Sequence, residues 1–453
     1  MSFTADQLLH RLADLHGGKP VNRYLVAFSG GLDSTVLLHA LAGSGDVHGV
    51  PLVAVHINHG LQVAADEWEA HCRRFADSLG VSFVSRRIAI AADDERGPEA
   101  AARAGRYAAM AESMESGDAV LSAHHEDDQA ETLLLNLLRG SGAGGLAGIG
   151  AVQPFGRGWL LRPMLDVSRS DIEQYAARKS LEWVDDPSNA STQFDRNFLR
   201  REVMAVLKRR WPAAVPRLAH SAQLAAETHA LQTELADIDL AACGDAARLD
   251  IDVLRRLSPA RQRNVLHRAI GLGGLPPAPS RQLFEALRTL IPARPDAGPL
   301  VQWPGGELRR YRDKLFVLAP VETALPEAPN RLRADSSPVS LGNDLGALRL
   351  VPDAAGGIAP HCAVDGLDVR FRSGGERLRP HGRRETQRLK NLMQAAGILP
   401  WRRAQIPLLF AGDTLVAVAD LWVADDAWSM PGLSVHWENP PIPLFARGRS
   451  ANL

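Results

Sequence analysis

A five-residue apolar run, Tyr24-Leu25-Val26-Ala27-Phe28, ends in Ser29-Gly30-Gly31-Leu32-Asp33-Ser34, and residues 34–41 then read as a helix. No other feature restricts the fold as strongly. Glycines let the backbone take positive φ and approach a ligand closely. A helix starting directly after such a turn aims its unpaired N–H groups and the positive end of its dipole into the turn. The product is an anion site, to which Ser29 and Ser34 add hydroxyl donors. Asp33 does not belong in a plain anion cradle, and a divalent cation shared with bound phosphates accounts for it. The bland alternative is a tight strand–helix turn with an N-cap. The turn matches neither the Walker pattern nor Gly-x-Gly-x-x-Gly.

Strand-like and helix-like segments alternate through the first half. Strands are expected at residues 24–28, 51–57, 82–90, 119–123 and 159–165, and helices at 34–41, 64–79, 99–114, 128–138 and 168–179. This alternation implies βαβ units and a parallel sheet. The pattern then changes. Residues 198–236 are helical and basic at their start, 249–291 form a small helical domain, and 300–318 read as strands or a hairpin. Residues 324–338 are rich in proline and polar side chains, which suggests a linker. The expected organisation is an α/β catalytic domain at 1–215, a mainly helical domain at 216–323, a linker with few contacts at 324–347, an α+β module at 348–440 and a tail at 441–453.

The net charge of −1 gives no global sign of a polyanionic partner. The distribution says more. Lysines number five and arginines 46, and residues 370–405 carry ten basic side chains against Glu376 and Glu385. Arginine offers a planar donor fork suited to phosphate, although a gene composition favouring arginine codons explains the excess equally well. No run reaches the ~18 apolar residues of a membrane span. Residues 1–16 lack the apolar centre of a signal peptide. Cys72, Cys243 and Cys362 are far apart and form no Cys-x-x-Cys pair, so a reducing cytoplasm is expected. Cys72 falls in an expected helix and reads as a small buried residue.

The loop resembles that of the PP-loop ATP pyrophosphatase superfamily, whose members cleave ATP between its α and β phosphates. Further segments narrow the resemblance. They are Val55-His56-Ile57-Asn58-His59-Gly60-Leu61, then Glu99-Ala100-Ala101-Ala102-Arg103-Ala104-Gly105-Arg106-Tyr107, then Ala123-His124-His125-Glu126-Asp127-Asp128-Gln129-Ala130-Glu131-Thr132. Leu138-Arg139-Gly140-Ser141-Gly142, Arg162-Pro163, Trp183-Val184-Asp185-Asp186-Pro187-Ser188-Asn189 and Arg196-Asn197 follow in order. Together they resemble the tRNA(Ile)-lysidine synthase family, closely from the loop to about residue 201 and more weakly over 372–423. The absence of cysteine pairs and of a glutaminase nucleophile fits this choice over PP-loop thiolases and amidotransferases.

The resemblance implies a PP-loop (adenine nucleotide alpha hydrolase-like) domain with a parallel sheet, followed by a helical domain and a C-terminal α+β domain. It implies a ligase that uses ATP and Mg²⁺ to adenylate the cytidine at the wobble position of tRNA(Ile) with a CAU anticodon. Free L-lysine then displaces AMP. ATP would be held by Ser29, Gly30, Gly31, Leu32, Asp33, Ser34, His56 and Arg196, with Asp33 also on the metal. Arg103 would neutralise the α-phosphate as charge builds. Asp128 and Glu131, at i and i+3 of a helix, would receive an ammonium of lysine. Either His124 or His125 would take its proton. Arg377, Arg379, Arg383, Arg384 and Lys390 would bind the tRNA body. Arg388, Trp401, Arg402 and Arg403 add to that basic and aromatic surface, on which phosphates lie and bases stack. Residues 139–145 read as a flexible loop after a helix. A homodimer is compatible with the sequence, and no membrane association is expected.

Two other functions compete. A PP-loop synthetase acting on a small molecule would have no use for the basic C-terminal module. A tRNA-binding protein with a dead nucleotide site would not keep the loop with Asp33 intact.

Overall fold

The computed structural model describes residues 3–18, 20–43, 47, 49–58, 60, 64–88, 98–185, 193–294, 297–321, 325, 331–334 and 337–445, with only the backbone for 98–100, 102 and 103. The chain divides into two compact units, residues 1–231 and 232–453.

The first unit runs α1 (Ala5–His16), β1 (Tyr24–Ala27), α2 (Leu32–Ala42), β2 (Leu52–Asn58), α3 (Ala65–Ser78), β3 (Ser82–Arg87), α4 (Pro98–Glu112), β4 (Ala119–Leu121), α5 (Glu126–Leu138), α6 (Ala143–Leu146), β5 (Val152–Phe155), β6 (Gly158–Leu161) and α7 (Arg169–Arg178). After these come α8 (Asp195–Phe198), a π-helical turn (Leu199–Val203), α9 (Met204–Arg210) and α10 (Ala214–Cys243), within which the two units divide. The sheet order is β3-β2-β1-β4-β6-β5, parallel except for the β5–β6 hairpin.

β1 is apolar throughout because both faces of the sheet are covered. Tyr24 and Val26 pack with Leu8, Leu12, Val36, Leu37 and Ile172 on one side. Leu25 joins Val55, Met110, Val120 and Leu160 on the other. β1 pairs with β2 on one edge and with β4 on the other. The chain therefore reverses its direction of sheet growth at β1. Open α/β sheets bind ligands outside the carboxyl ends of the strands at such a switch point.

The second unit begins with β7 (Gly244–Asp245), β8 (Arg248–Asp250), α11 (Ile251–Arg256), α12 (Pro259–Leu272), α13 (Ser280–Thr289), β9 (Leu300–Trp303), β10 (Gly306–Tyr311) and β11 (Lys314–Leu318). The expected small helical domain is thus part of an α+β body, its helices sharing one core with the antiparallel sheet β7-β8-β11-β10-β9. The rest of the unit is mostly β. Its elements are β12 (Val339–Ser340), β13 (Ala347–Asp353), β14 (Gly357–Ile358), β15 (Asp368–Arg370), β16 (Arg377–Leu378), β17 (Gln387–Arg388), α14 (Leu389–Ala395), β18 (Leu408–Ala411), β19 (Thr414–Val418), β20 (Trp422–Val423), β21 (Trp428–Ser429) and β22 (Gly432–Glu438).

Two expectations change here. The described part of residues 324–347 is not a linker with few contacts. Leu332 exchanges backbone hydrogen bonds with Leu367, and Leu332, Leu341 and Leu345 are buried in the C-terminal core. Nor is Trp401 a freely exposed ring: it is partly buried against the second unit's own aromatics. Its ring packs edge-on to Phe316 at 5.3 Å and to Tyr311 at 6.4 Å, with the Arg309 guanidinium over it. Arg402 donates to Gln405 and to the Ile442 carbonyl, and Arg403 to the Ile398 carbonyl and the Tyr311 hydroxyl. These three side chains hold the second unit together. Among the described residues, no helix is long and apolar enough to cross a membrane.

Candidate active site

A cavity of about 810 Å³ opens at the carboxyl ends of β1, β2 and β4, in the first unit. The Ser29–Ser34 turn forms one wall. Gly30 has φ of +85°, and a Cβ there would come within 2.7 Å of Cys72 Sγ, so only glycine fits. Cys72 is a buried residue of α3 whose thiol burial pushes up to about 12, so it serves as packing. Ser34 Oγ donates to the Gly31 carbonyl at 3.0 Å and lies 3.1 Å from Ser29 Oγ. The Val184 amide donates to the Gly30 carbonyl at 2.9 Å and pins the turn from outside. His56, at the end of β2, lines the cavity and lies 2.9 Å from the Phe28 carbonyl through Nδ1. A carbonyl only accepts, so Nδ1 carries the hydrogen. Burial holds this imidazole below its ordinary value, so it is neutral.

The α5 turn forms the opposite wall. The His125 amide donates to Asp128 Oδ2 at 3.0 Å and caps the helix. Asp33 stands between two basic side chains: Arg169 NH1 donates to Oδ1 at 2.6 Å, and His125 Nε2 is 3.6 Å from Oδ2. Burial would lower the His125 pKa, but Asp33, Asp128 and Asp127 outweigh it and the value is raised. Ser122, one residue beyond β4, places its Oγ 2.5 Å from His124 Nδ1.

Asp128 and Glu131 come together as expected, but they are not an open pair. Arg196 donates to Asp128 Oδ1 at 3.0 Å and to Glu131 Oε2 at 3.1 Å. Arg200 donates to Glu131 Oε1 at 2.6 Å and to Asp128 Oδ1 at 3.0 Å. Burial tends to raise the Asp128 pKa, but His125, Arg196, His124 and Arg200 more than reverse this and it is lowered. Two carboxylates and two guanidiniums make a neutral quartet. The expected roles shift accordingly. Arg196 is engaged with the carboxylates, and it is Arg200, half exposed, that reaches the cavity wall. Arg200 belongs to the π-helical turn, in which the Met204 amide bonds back to the Leu199 carbonyl.

Further residues to which the sequence reading gives no role of their own also line the cavity, among them Asp127, Arg106 and Tyr107 of the segments that carry the resemblance. Asp127 is buried and accepts from Lys208 Nζ, at 2.5 Å, and from the Arg169 amide. Arg106, Tyr107 and Phe155 line the apolar end with Val55, Met110, Val120 and Leu160. Tyr107 and Phe155 meet edge-to-face at 5.7 Å. The side chains of Glu99 and Arg103, and His59 and residues 186–189 entirely, lie outside the described residues. The expected flexible loop at 139–145 contains α6 instead. It is tied by Asn136 Nδ2 to the Gly145 carbonyl at 2.7 Å, and Gly144 sits against the His229 ring.

The family pattern described as PP-loop domain matches residues 4–207, that of the TilS substrate binding domain 249–316, and that of the TilS substrate C-terminal domain 367–437. A tRNA(Ile)-lysidine synthase of Alkalilimnicola ehrlichii is 45% identical over 91% of this chain and 93% of its own length. This chain belongs to the tRNA(Ile)-lysidine synthase family. Two more lysidine synthases are similar along nearly their whole lengths. That of Coxiella burnetii is 38% identical over 93% of both chains, and that of Xanthomonas campestris 39% identical over 92% of this chain and 95% of its own.

Of the basic residues assigned to tRNA, Arg377, Arg383, Arg384 and Lys390 are exposed, as is Arg388. Arg377 and Arg388 stand opposite each other in the ribbon β16–β17. Arg379 is paired with Asp425 at 3.1 Å.

Proposed function

We propose that the β1–β4 cavity adenylates the wobble cytidine of tRNA(Ile) with a CAU anticodon and then joins free lysine to its C2, giving lysidine, AMP and diphosphate. The modified anticodon reads AUA in place of AUG. In the first step the C2 carbonyl oxygen attacks the α-phosphorus, and the bond to the bridging oxygen breaks to release diphosphate. In the second, the lysine ε-amine, having given up a proton, attacks C2, and the C2–O bond breaks to release AMP.

The observation that carries this reading is the arrangement of the walls. An anion cradle at a helix N-terminus faces a charge-balanced set of acids and arginines across one cavity. Amide groups of the Ser29–Ser34 turn and the α2 dipole suit ATP phosphates. The apolar slot near Tyr107 and Phe155 suits the adenine. Of the cations lining the cavity, Arg106, Arg169, Arg200 and Lys208, the pair Arg169 and Lys208 beside the Asp33 and Asp127 carboxylates suits charge developing on the α-phosphate. Free lysine carries two ammonium groups and a carboxylate. The quartet offers Asp128 and Glu131 to an ammonium and Arg200 to the carboxylate, which an open acidic pair would repel.

Asp33 fits the proposed Mg²⁺. Among the described residues no three His, Cys, Asp or Glu side chains are grouped to cage a metal. Magnesium suits one protein carboxylate completed by substrate phosphates and water. When bound, it neutralises phosphate charge. In the second unit, Arg377, Arg383, Arg384, Arg388 and Lys390 supply a basic surface for the tRNA body.

The test is incubation with ATP, labelled lysine and a tRNA(Ile) transcript bearing CAU. Label in RNA with equivalent AMP is expected. AMP without RNA label would indicate a small-molecule ligase, and neither product a non-catalytic tRNA binder.

A further inference from the structure

Asp127 is a buried carboxylate of the cavity wall to which the two reaction steps give no task of their own. It stands in the first turn of α5, where an acid suits the helix dipole. The dipole does not explain its partners. Oδ1 accepts from Lys208 Nζ at 2.5 Å, and Oδ2 accepts from the Arg169 amide at 3.3 Å. One carboxylate thus ties α9 and the start of α7 to α5.

We infer that Asp127 is a positioning residue for the first step: it holds the Lys208 ammonium on the cavity wall, where that ammonium pairs with the α-phosphate oxygens as diphosphate leaves. This rests on the adenylation reading above. Three features support it. The Lys208 side chain is about half exposed, and a four-carbon stem in that setting has many rotamers; a bond to a buried carboxylate selects among them. An ammonium carries three donors, so the bond to Asp127 leaves donors for phosphate oxygens. The helix also delivers Lys208 to the right side. Arg200, Met204 and Lys208 recur at every fourth residue, and all three line the cavity. In a plain α-helix such a row drifts around the axis, because a turn takes about 3.6 residues. The π-helical turn at Leu199–Val203 takes in one residue more than an α turn and cancels that drift over two steps. The step itself balances without proton transfer at Lys208. The C2 oxygen gains the bond to phosphorus that the bridging oxygen loses, the electron pair leaves with diphosphate, and the ammonium keeps its three hydrogens. A carboxylate that merely anchored α7 would need only its bond to the Arg169 amide, which an asparagine oxygen accepts equally well.

The experiment is a double-mutant cycle with Asp127→Asn, Lys208→Ala and both together. The rate read is single-turnover release of diphosphate from ATP with tRNA(Ile) and without lysine, which isolates the first step. Lys208→Ala should lower the maximal rate by about 10²–10³, the usual loss for a group that meets developing charge, with less change in the ATP concentration needed for half the maximal rate. Asp127→Asn should lower it roughly ten- to hundredfold, the size of one charge-assisted hydrogen bond. In the Lys208→Ala background, Asp127→Asn should have no further effect, because residues acting as one unit are not additive. An equal fold-loss in both backgrounds, or a wild-type maximal rate in Asp127→Asn, would reduce Asp127 to an anchor of α7 and overturn the inference. A Lys208→Ala protein with the wild-type maximal rate and weakened tRNA affinity would make Lys208 an RNA contact and overturn it as well. The wild-type control separates this from failure of the adenylation reading: only that failure would leave the unaltered protein releasing no diphosphate with tRNA(Ile), and the inference would fall with it.

Discussion

Arg169 NH1 donates to Asp33 Oδ1 at 2.6 Å, joining the first turn of α7 to the first turn of α2. An arginine at a helix N-terminus opposes the dipole, so local helix stability does not explain Arg169. Asp33 and Glu173, its two acceptors, do. Both members of the ion pair are about one-third exposed, so its own contribution to stability is modest.

The first prediction follows from that pair. If Asp33 turns to a cation bound with ATP, Arg169 is released towards the phosphates. Asp33→Ala should then abolish tRNA-dependent AMP formation while tRNA affinity stays near that of the wild type. Arg169→Ala should keep the cation site and lose one cationic group, slowing AMP formation by about 10²–10³ if it contacts developing charge. Single-turnover release of AMP from labelled ATP measures both. Wild-type AMP formation by Asp33→Ala would remove the proposed role.

The second prediction concerns the quartet. Glu131 is 1% exposed and carries hydrogen bonds from both arginines. Glu131→Gln removes one negative charge, leaves Arg200 undercompensated and deprives an incoming ammonium of an acceptor. KM for lysine should rise roughly ten- to hundredfold, the usual cost of a charge-assisted hydrogen bond. KM for ATP should change far less. Equal rises in both would show that the wall itself had collapsed.

Much of the first unit is legible in the sequence because its signals are local. Residues 24–34 show an apolar run, a glycine turn and a helix start in immediate succession. The acidic turn before α5 announces itself by Asp128 and Glu131 at i, i+3. α1 is not among the expected helices, although Thr4 and Gln7 form a capping box ahead of buried Leu8 and Leu12, a local signal of the same kind. β5 carries no such signal, because a four-residue edge strand containing Pro154 has no periodicity to detect. The pairing of Arg196 and Arg200 with the α5 acids spans 65 to 72 residues, and only the tertiary fold creates it. Yet the two arginines are one turn apart, as are the two acids, and that matched spacing is a visible hint. Trp401 shows the opposite failure. Basic neighbours make it look like a base-stacking residue, but nothing local reveals that Tyr311 and Phe316 pack against it.

The third prediction is a pH dependence. The folded-state pKa of His125 is raised above the ordinary 6.5, so its pairing with Asp33 and Asp128 contributes stability in full below that value. The contribution disappears as pH rises through the raised value. The stability gap between wild type and His125→Gln should therefore be widest in mildly acid solution and narrow as pH increases. Urea denaturation of the two proteins across that range tests it. A gap that widens with pH would mean that the ring is neutral in the folded protein.

The last prediction concerns RNA binding, and the structure decides how to test it. Cutting the chain after about residue 329 would strip Leu399 and Trp401 from Tyr311 and Phe316, so reduced affinity would be confounded by a damaged second unit. Point substitutions avoid this. Arg377 and Arg388 face each other in register on an exposed two-stranded ribbon, with Arg383 and Arg384 in its connecting turn. Like charges directly opposite each other destabilise a ribbon, so replacing both with alanine should leave the thermal midpoint unchanged or higher. Among the described residues no acidic side chain pairs with either arginine, and a polyanion would supply that counter-charge. Arg377→Ala with Arg388→Ala should therefore weaken tRNA binding by a similar factor for different tRNA sequences. The slope of log affinity against log salt should become shallower by ~0.9 for each duplex phosphate that the protein no longer neutralises. Titration of tRNA at several salt concentrations reads affinity and slope together. Unchanged affinity and slope would make the ribbon a solvated face and move the tRNA-binding surface elsewhere.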